Sequence, residues 1–230
     1  MKRIILFLSL FAVTVTGYGQ DEQDDRKLTV DVGADLVSSY IWRGMYQTGA
    51  SIQPALSLSA YGVTIGAWGS TDFSTNFKEL DFYLSCEINR FTAGISDYWW
   101  NGEGASYFRD HGSHHIEATL GYTFPEKFPL RLEINTMLTG DEDKDDDGCK
   151  YYSTYIAAGF PFSFRDIDFE TEIGVSPWKG MYYRKAAVAA ITVKATKNLQ
   201  LTNKYALPVF VELIFSPAKD NAFFVFGVQF

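Results

Sequence analysis

The chain has 230 residues, a formal net charge of −8, 17% aromatic residues, 19 glycines and only 7 prolines. No internal run reaches the roughly 18 apolar residues that a membrane helix needs, which excludes a helical membrane protein. A closed barrel crosses with alternating residues and stays open as a class, whereas so acidic a chain argues against nucleic acid, whose phosphates it would repel.

Lys2-Arg3, the apolar run from Ile4 to Val15 and the small residues Gly17 and Gly19 read as a signal peptide over 1–19, cleaved near Gly19-Gln20. About 12 apolar residues are too few for a membrane anchor. Removing Lys2 and Arg3 takes the formal charge from −8 to −10. Residues 20–27 are charged and read as a flexible periplasmic lead-in, and 28–230 as one barrel.

From there period-two alternation dominates, and it predicts about twelve strands. The first, about 28–43, sets Val30, Val32, Ala34, Leu36, Tyr40 and Trp42 against Asp31, Gly33, Asp35, Ser39 and Arg43. Strands near 51–61 and 63–72 follow. The fourth, about 79–89, opposes Leu80, Phe82, Leu84 and Ile88 to Glu79, Asp81, Tyr83 and Glu87. Strands near 91–100 and 114–124 come next. The seventh sets Leu130, Leu132, Ile134 and Leu138 against Arg131, Glu133, Asn135 and Thr139. After a strand near 151–161, the ninth places Ile167, Phe169, Ile173 and Val175 opposite Asp168, Glu170, Glu172 and Gly174. A strand near 187–196 leads through ATKN into a long one over 199–215, which keeps its parity across Pro208, and the last covers 222–230.

Connections alternate between short ones (Tyr61-Gly62, Asn89-Arg90, FPEKFP, PFSFRD, ATKN) and longer polar ones such as WNGEGASYFRDHGS and TGDEDKDDDGC. Short turns at one end and long loops at the other is the layout of an outer-membrane barrel. The five tryptophans fall toward the long-loop end, with Tyr61, Phe91, Tyr122, Phe124, Phe160 and Phe164 toward the other, as two interfacial girdles would. The expected fold is all-β, an antiparallel up-and-down transmembrane β-barrel in the outer membrane of a Gram-negative bacterium, with outer-membrane lipid as its surroundings. A soluble sandwich or lipocalin-like barrel alternates too, with its apolar face inside; parity alone does not separate the two.

SSYIWRG followed by YQTGASIQPALSLS, then GAWGSTDF, ELDFYLS and the closing LPVFVELIFSPAKDNAFFVFGVQF, resembles the TorF-type porins, formerly a family of unknown function. The resemblance covers most of the mature chain and implies an outer-membrane barrel. It supplies no binding residues.

If the apolar face meets lipid, the lumen face carries Asp31, Asp35, Asp72, Glu79, Asp81, Glu87, Glu117, Glu133, Asp168, Glu170, Glu172 and Glu212, against the cations Arg43, Arg131, Lys194 and Lys204. Carboxylate rings favour cations, so the chain reads as a narrow, cation-leaning porin for small polar solutes or cations, with no cofactor. Glycines 33, 66, 94, 121, 159, 174 and 227 also fall on the lumen face and would leave room there. The alternative is a plugged structural or binding barrel whose charges pair, or an outer-membrane lipid-modifying enzyme.

Three sharper readings are weaker. Asp143, Asp145, Asp147 and Gly148 open like a calcium loop, but the glutamate wanted at the twelfth position is Thr154. His111, His114 and His115 come from one segment and supply at most part of a metal site. Ser113 and His114 are adjacent, so they point to opposite faces and do not pair as nucleophile and base. Cys86 and Cys149 are expected as free thiols. Phe224, Phe226, Val228 and Phe230 are expected to face lipid, and a last strand ending in an aromatic resembles the assembly signal by which the barrel assembly machinery recognises such barrels.

Overall fold

The computed structural model describes residues 27–101, 106–109 and 113–230. The signal-peptide reading, most of the lead-in and His111 lie outside the described residues. The described strands are β1 (Thr29–Val37), β2 (Tyr40–Trp42), β3 (Met45–Thr48), β4 (Ser51–Ala60), β5 (Val63–Asp72), β6 (Lys78–Ile88) and β7 (Phe91–Asn101). They continue as β8 (His114–Thr123), β9 (Arg131–Met137), β10 (Thr154–Phe164), β11 (Ile167–Ser176), β12 (Ala187–Thr202), β13 (Tyr205–Ser216) and β14 (Asn221–Gln229). All but β2 and β3 form one closed antiparallel barrel of twelve strands in sequence order, with β14 returning to β1. The twelve-stranded all-β barrel is the fold that the alternation predicts.

Parity becomes orientation once the barrel closes. Val32, Leu120, Phe224 and Phe226 are at least 60% exposed on the outside, while Asp35, Asp81 and Glu117 are at most 2% exposed inside. The greasy face is therefore the outer one, the reverse of a soluble barrel. At the short-turn end the chain reverses through residues that tolerate left-handed backbone: Tyr61 and Gly62 (φ 55° and 77°), Asn89 (59°) and Arg165 (58°). Above those turns an aromatic belt runs along the outside. Phe91 meets Tyr122 at 4.8 Å, Tyr122 meets Phe124 at 5.0 Å, and Phe124 reaches Phe160 through Phe128.

Two expected strand limits are corrected. The first strand ends at Val37 rather than running to residue 43, because Arg43 and Gly44 adopt φ of 49° and 77° and fold Tyr40–Thr48 back on itself as the separate hairpin β2–β3. ATKN is not a turn: β12 runs on to Thr202, and the reversal occurs at Asn203-Lys204. A two-residue turn preserves parity, so the alternating pattern reads straight through it.

The closing ladder is short. β1 and β14 pair only over Asp35–Val37 against Gly227–Gln229, flanked by mutual bonds between Ala34 and Phe230 and a bond from the Ser38 amide to the Phe226 carbonyl. On its other edge β1 pairs along all of Thr29–Val37 with β4.

Candidate functional site

The lumen divides into a filled half at the long-loop end and a polar half toward the short turns. The filling begins with β2–β3. Tyr40 and Ile41 are buried, and Tyr40 packs on Trp68 of β5 at 5.4 Å. Trp42 meets Tyr98 and Trp100 of β7 at 5.8 and 5.3 Å, and Tyr182 from the β11–β12 loop at 5.7 Å. Three of the tryptophans expected in a girdle, Trp42, Trp68 and Trp100, are thus lumen residues; Trp99 and Trp178 lie outside this plug.

Arg43, at the hairpin tip, is the keystone. Its guanidinium donates to both oxygens of Glu117 on β8, at 2.6 and 2.9 Å, and also to the Tyr182 hydroxyl. The side chains of Arg43 and Glu117 are 8% and 0% exposed. The guanidinium lies 4.7 Å from the ring centroids of both Trp42 and Tyr155. Tyr98 donates a further bond to Glu117 at 2.8 Å. A planar fork against a carboxylate, roofed by aromatic faces, is the arrangement in which arginine outperforms lysine. Gly44 is needed beside it, because a Cβ there would collide with the Ala189 carbonyl of β12.

Three of the seven lumen glycines do not leave the space expected of them. Gly66 lies under the ring of Tyr83, Gly174 under Tyr155 and Gly227 under Phe210. Each takes a ring from a neighbouring strand that a Cβ would displace. Beside Phe210, the residues Val37, Ile41, Ile214 and Val225 form a small buried apolar cluster behind the closing ladder.

Toward the short turns the wall becomes polar and more open. Glu87 and Asp168 are exposed there, with Asp31, Glu170, Glu172 and Glu212 half-buried. Arg131 stands 3.7 Å from Glu172, whose other oxygen accepts from Tyr155 at 3.0 Å. Gly159 on β10 lies beside the Arg131 guanidinium. Glu133, on the same face of β9, accepts from Asn135 at 2.8 Å. Lys194 on β12 lies directly across the ladder from Glu212, with its ammonium 4.3 Å from the Phe210 ring centroid. Asp35 accepts from Gln229 across the closing ladder at 3.3 Å. Lys204 departs from the expected wall: it sits exposed in the β12–β13 turn. Arg43 belongs to the inward hairpin rather than to a barrel strand. Phe224, Phe226, Val228 and Phe230 face outward, with Phe226 and Phe230 60% and 54% exposed.

The other candidates are engaged structurally. Asp143 is buried and accepts the backbone amides of Tyr152 and Ser153 at 3.0 and 2.9 Å, which ties the acidic loop over 138–153 together. Asp145 accepts the amides of Asp147 and Cys149. These carboxylates serve the loop's own backbone, and among the described residues no group of three or more His, Cys, Asp or Glu is arranged to hold a metal. His115 is buried on Trp100, 4.2 Å between ring centroids, and bonds Glu142 of the acidic loop. His114 faces Asp97 through Nδ1 at 2.9 Å and the Tyr107 carbonyl through Nε2 at 2.9 Å, so neither ring nitrogen is left to serve Ser113. Cys86 and Cys149 are free thiols.

The inward hairpin is the element of the lumen that strand parity hid. Tyr40 and Trp42 continue the apolar alternation of β1, and the signal against one long strand was Arg43-Gly44, a pair suited to a two-residue reversal. The chain matches no known family model, and no curated protein is significantly similar to it.

Proposed function

We propose that the chain is an outer-membrane β-barrel acting as a narrow, plug-gated channel that favours small cations. The observation that carries this reading is the β2–β3 hairpin, held in the lumen by the Arg43–Glu117 pair above a wall richer in carboxylate than in cation. The outward apolar face and aromatic belt support the membrane setting. The resemblance to the TorF-type porins belongs to the same proposal. Carboxylates lining the open half would concentrate cations at the plug, and conduction would follow displacement of the hairpin.

Planar-bilayer recording tests it. Wild-type protein is expected to conduct little, and removal of residues 39–48 with a short linker is expected to give larger, cation-selective openings. Folded deletion protein with unchanged conductance would instead favour a structural barrel that holds surface partners through its loops. Anion-selective openings would sink the charge argument.

A further inference from the structure

Behind the hairpin, on the wall made by β4, β5 and β6, buried oxygens gather without partners. The ladder positions Ser51↔Asp72 and Ala55↔Trp68 bracket Gln53 opposite Ser70, and Ser70 lies directly across from Glu79. Gln53, Ser70 and Glu79 therefore share one row of the lumen face, with Asp81 next below Glu79 on the same face of β6. All four are at most 5% exposed. Gln53 Oε1 and Ser70 Oγ lack a hydrogen-bond partner among the described residues; the Glu79 and Asp81 carboxyls face each other, and Oε2 and Oδ1 have no donor other than a proton shared between the two acids.

The arrangement is lopsided in a way that points to a ligand. Glu79 Oε1 accepts from Trp100 Nε1 at 2.7 Å and from the Tyr40 hydroxyl at 3.3 Å, which fixes the carboxylate and leaves Oε2 free. The Gln53 amide nitrogen donates to Ser51 Oγ at 3.4 Å, which leaves its oxygen for the row. Neither Glu79 nor Asp81 has an ion pair among the described residues; the arginine of the plug is committed to Glu117. Two carboxylates buried side by side need positive charge between them. A single shared proton would serve the two acids and leave Gln53 Oε1 and Ser70 Oγ unpartnered. A cation seated against the row would neutralise both acids and give the two neutral oxygens a partner.

We infer that Gln53, Ser70, Glu79 and Asp81 form a site for a hard, calcium-sized cation beneath the β2–β3 hairpin. Two carboxylates and two neutral oxygens are the ligand types such ions take, with water completing the shell. Tyr40 joins the site to the plug, so a bound ion would brace the hairpin against the wall. This goes beyond the channel proposal and does not depend on conduction.

Terbium(III), a luminescent stand-in for calcium, tests the site because Trp100 touches Glu79 and would sensitise its emission. The full barrel in detergent, excited through tryptophan at neutral pH, should show terbium emission that calcium displaces. Glu79→Gln and Asp81→Asn should each weaken terbium binding about tenfold or more, by removing a charged ligand. Gln53→Ala, which keeps both carboxylates, should weaken it less, and Asp145→Asn in the acidic loop should leave it unchanged. Heat-modifiable gel mobility reports that each variant is folded. Absence of emission from folded wild type would mean a shared proton only and overturn the inference. Emission that survives Glu79→Gln and Asp81→Asn together, or that Asp145→Asn alone abolishes, would overturn it equally.

Discussion

Replacing Arg43 by alanine should open the plug, and the structure sets the scale. The pair it breaks is almost wholly buried, bidentate at 2.6 and 2.9 Å, and roofed by two rings at 4.7 Å. Removing one partner of such a pair leaves the other charge stranded and typically costs about 3–5 kcal/mol. The ring contacts are part of that loss, since cation–π attraction contributes about 0.5–2 kcal/mol per contact. If the cost falls on the docked hairpin alone, the docked-to-undocked ratio drops by roughly a hundredfold to a few thousandfold. Bilayer recordings should then show a large rise in open time, and protease should cleave within 39–48 in folded barrels. Arg43→Lys keeps the charge but loses the fork and should fall between the two. Adding Glu117→Gln to Arg43→Ala removes the stranded charge and should recover part of the lost stability, although the clamp is gone. Wild-type conductance and protease resistance in folded Arg43→Ala protein would refute the reasoning.

Two further outcomes follow from other contacts. The Glu142 carboxyl, in the acidic loop, is held below its ordinary value of 4.5 chiefly by its bond to His115. A lowered acid contributes stability above that ordinary value and loses it as pH falls through its folded value, so acidification should release the loop. Trp100 packs against His115 and should report the release as a fluorescence change; a Glu142→Gln variant with the same titration would contradict this. Deleting Phe230 removes its two backbone bonds to Ala34 and the outward terminal ring. Membrane insertion should fall while the conductance of the molecules that do insert stays unchanged, and a normal surface yield would argue against an assembly role.

The barrel was legible because alternation is a local property: Glu79, Asp81 and Glu87 against Leu80, Phe82 and Leu84 already state two faces. Parity alone does not say which face is outside, since it is symmetric until a closed sheet gives it an interior; the uneven loops and the aromatic bands at the two ends are what point the apolar face outward. The plug escaped because an inward hairpin and a longer strand share one pattern, and only Arg43-Gly44 marks the difference. Gly66, Gly174 and Gly227 were read as space because a sequence shows an absent side chain but not the neighbour's ring that takes its place. The unpartnered oxygens of Gln53 and Ser70 were equally invisible, because partnership depends on what three adjacent strands bring together. The calcium-like spacing of Asp143, Asp145 and Asp147 is a weak signal for the same reason: the carboxylates of Asp143 and Asp145 turn toward their own loop's amides.

The short ladder between β1 and β14 sets an order of events. Every other neighbouring pair in the barrel is consecutive along the wall, so its contacts can form early and locally. The seam instead joins Phe226 to Ser38 and Gln229 to Asp35, 188 and 194 residues apart. Loop-closure entropy is thus concentrated in a handful of bonds that form only after the remaining sheet has curled. Until that moment the chain is an open ribbon with two free edges, able to pair with another copy as readily as with itself. Closure is therefore expected as the last step of folding, with the interval before it the time of greatest exposure to aggregation.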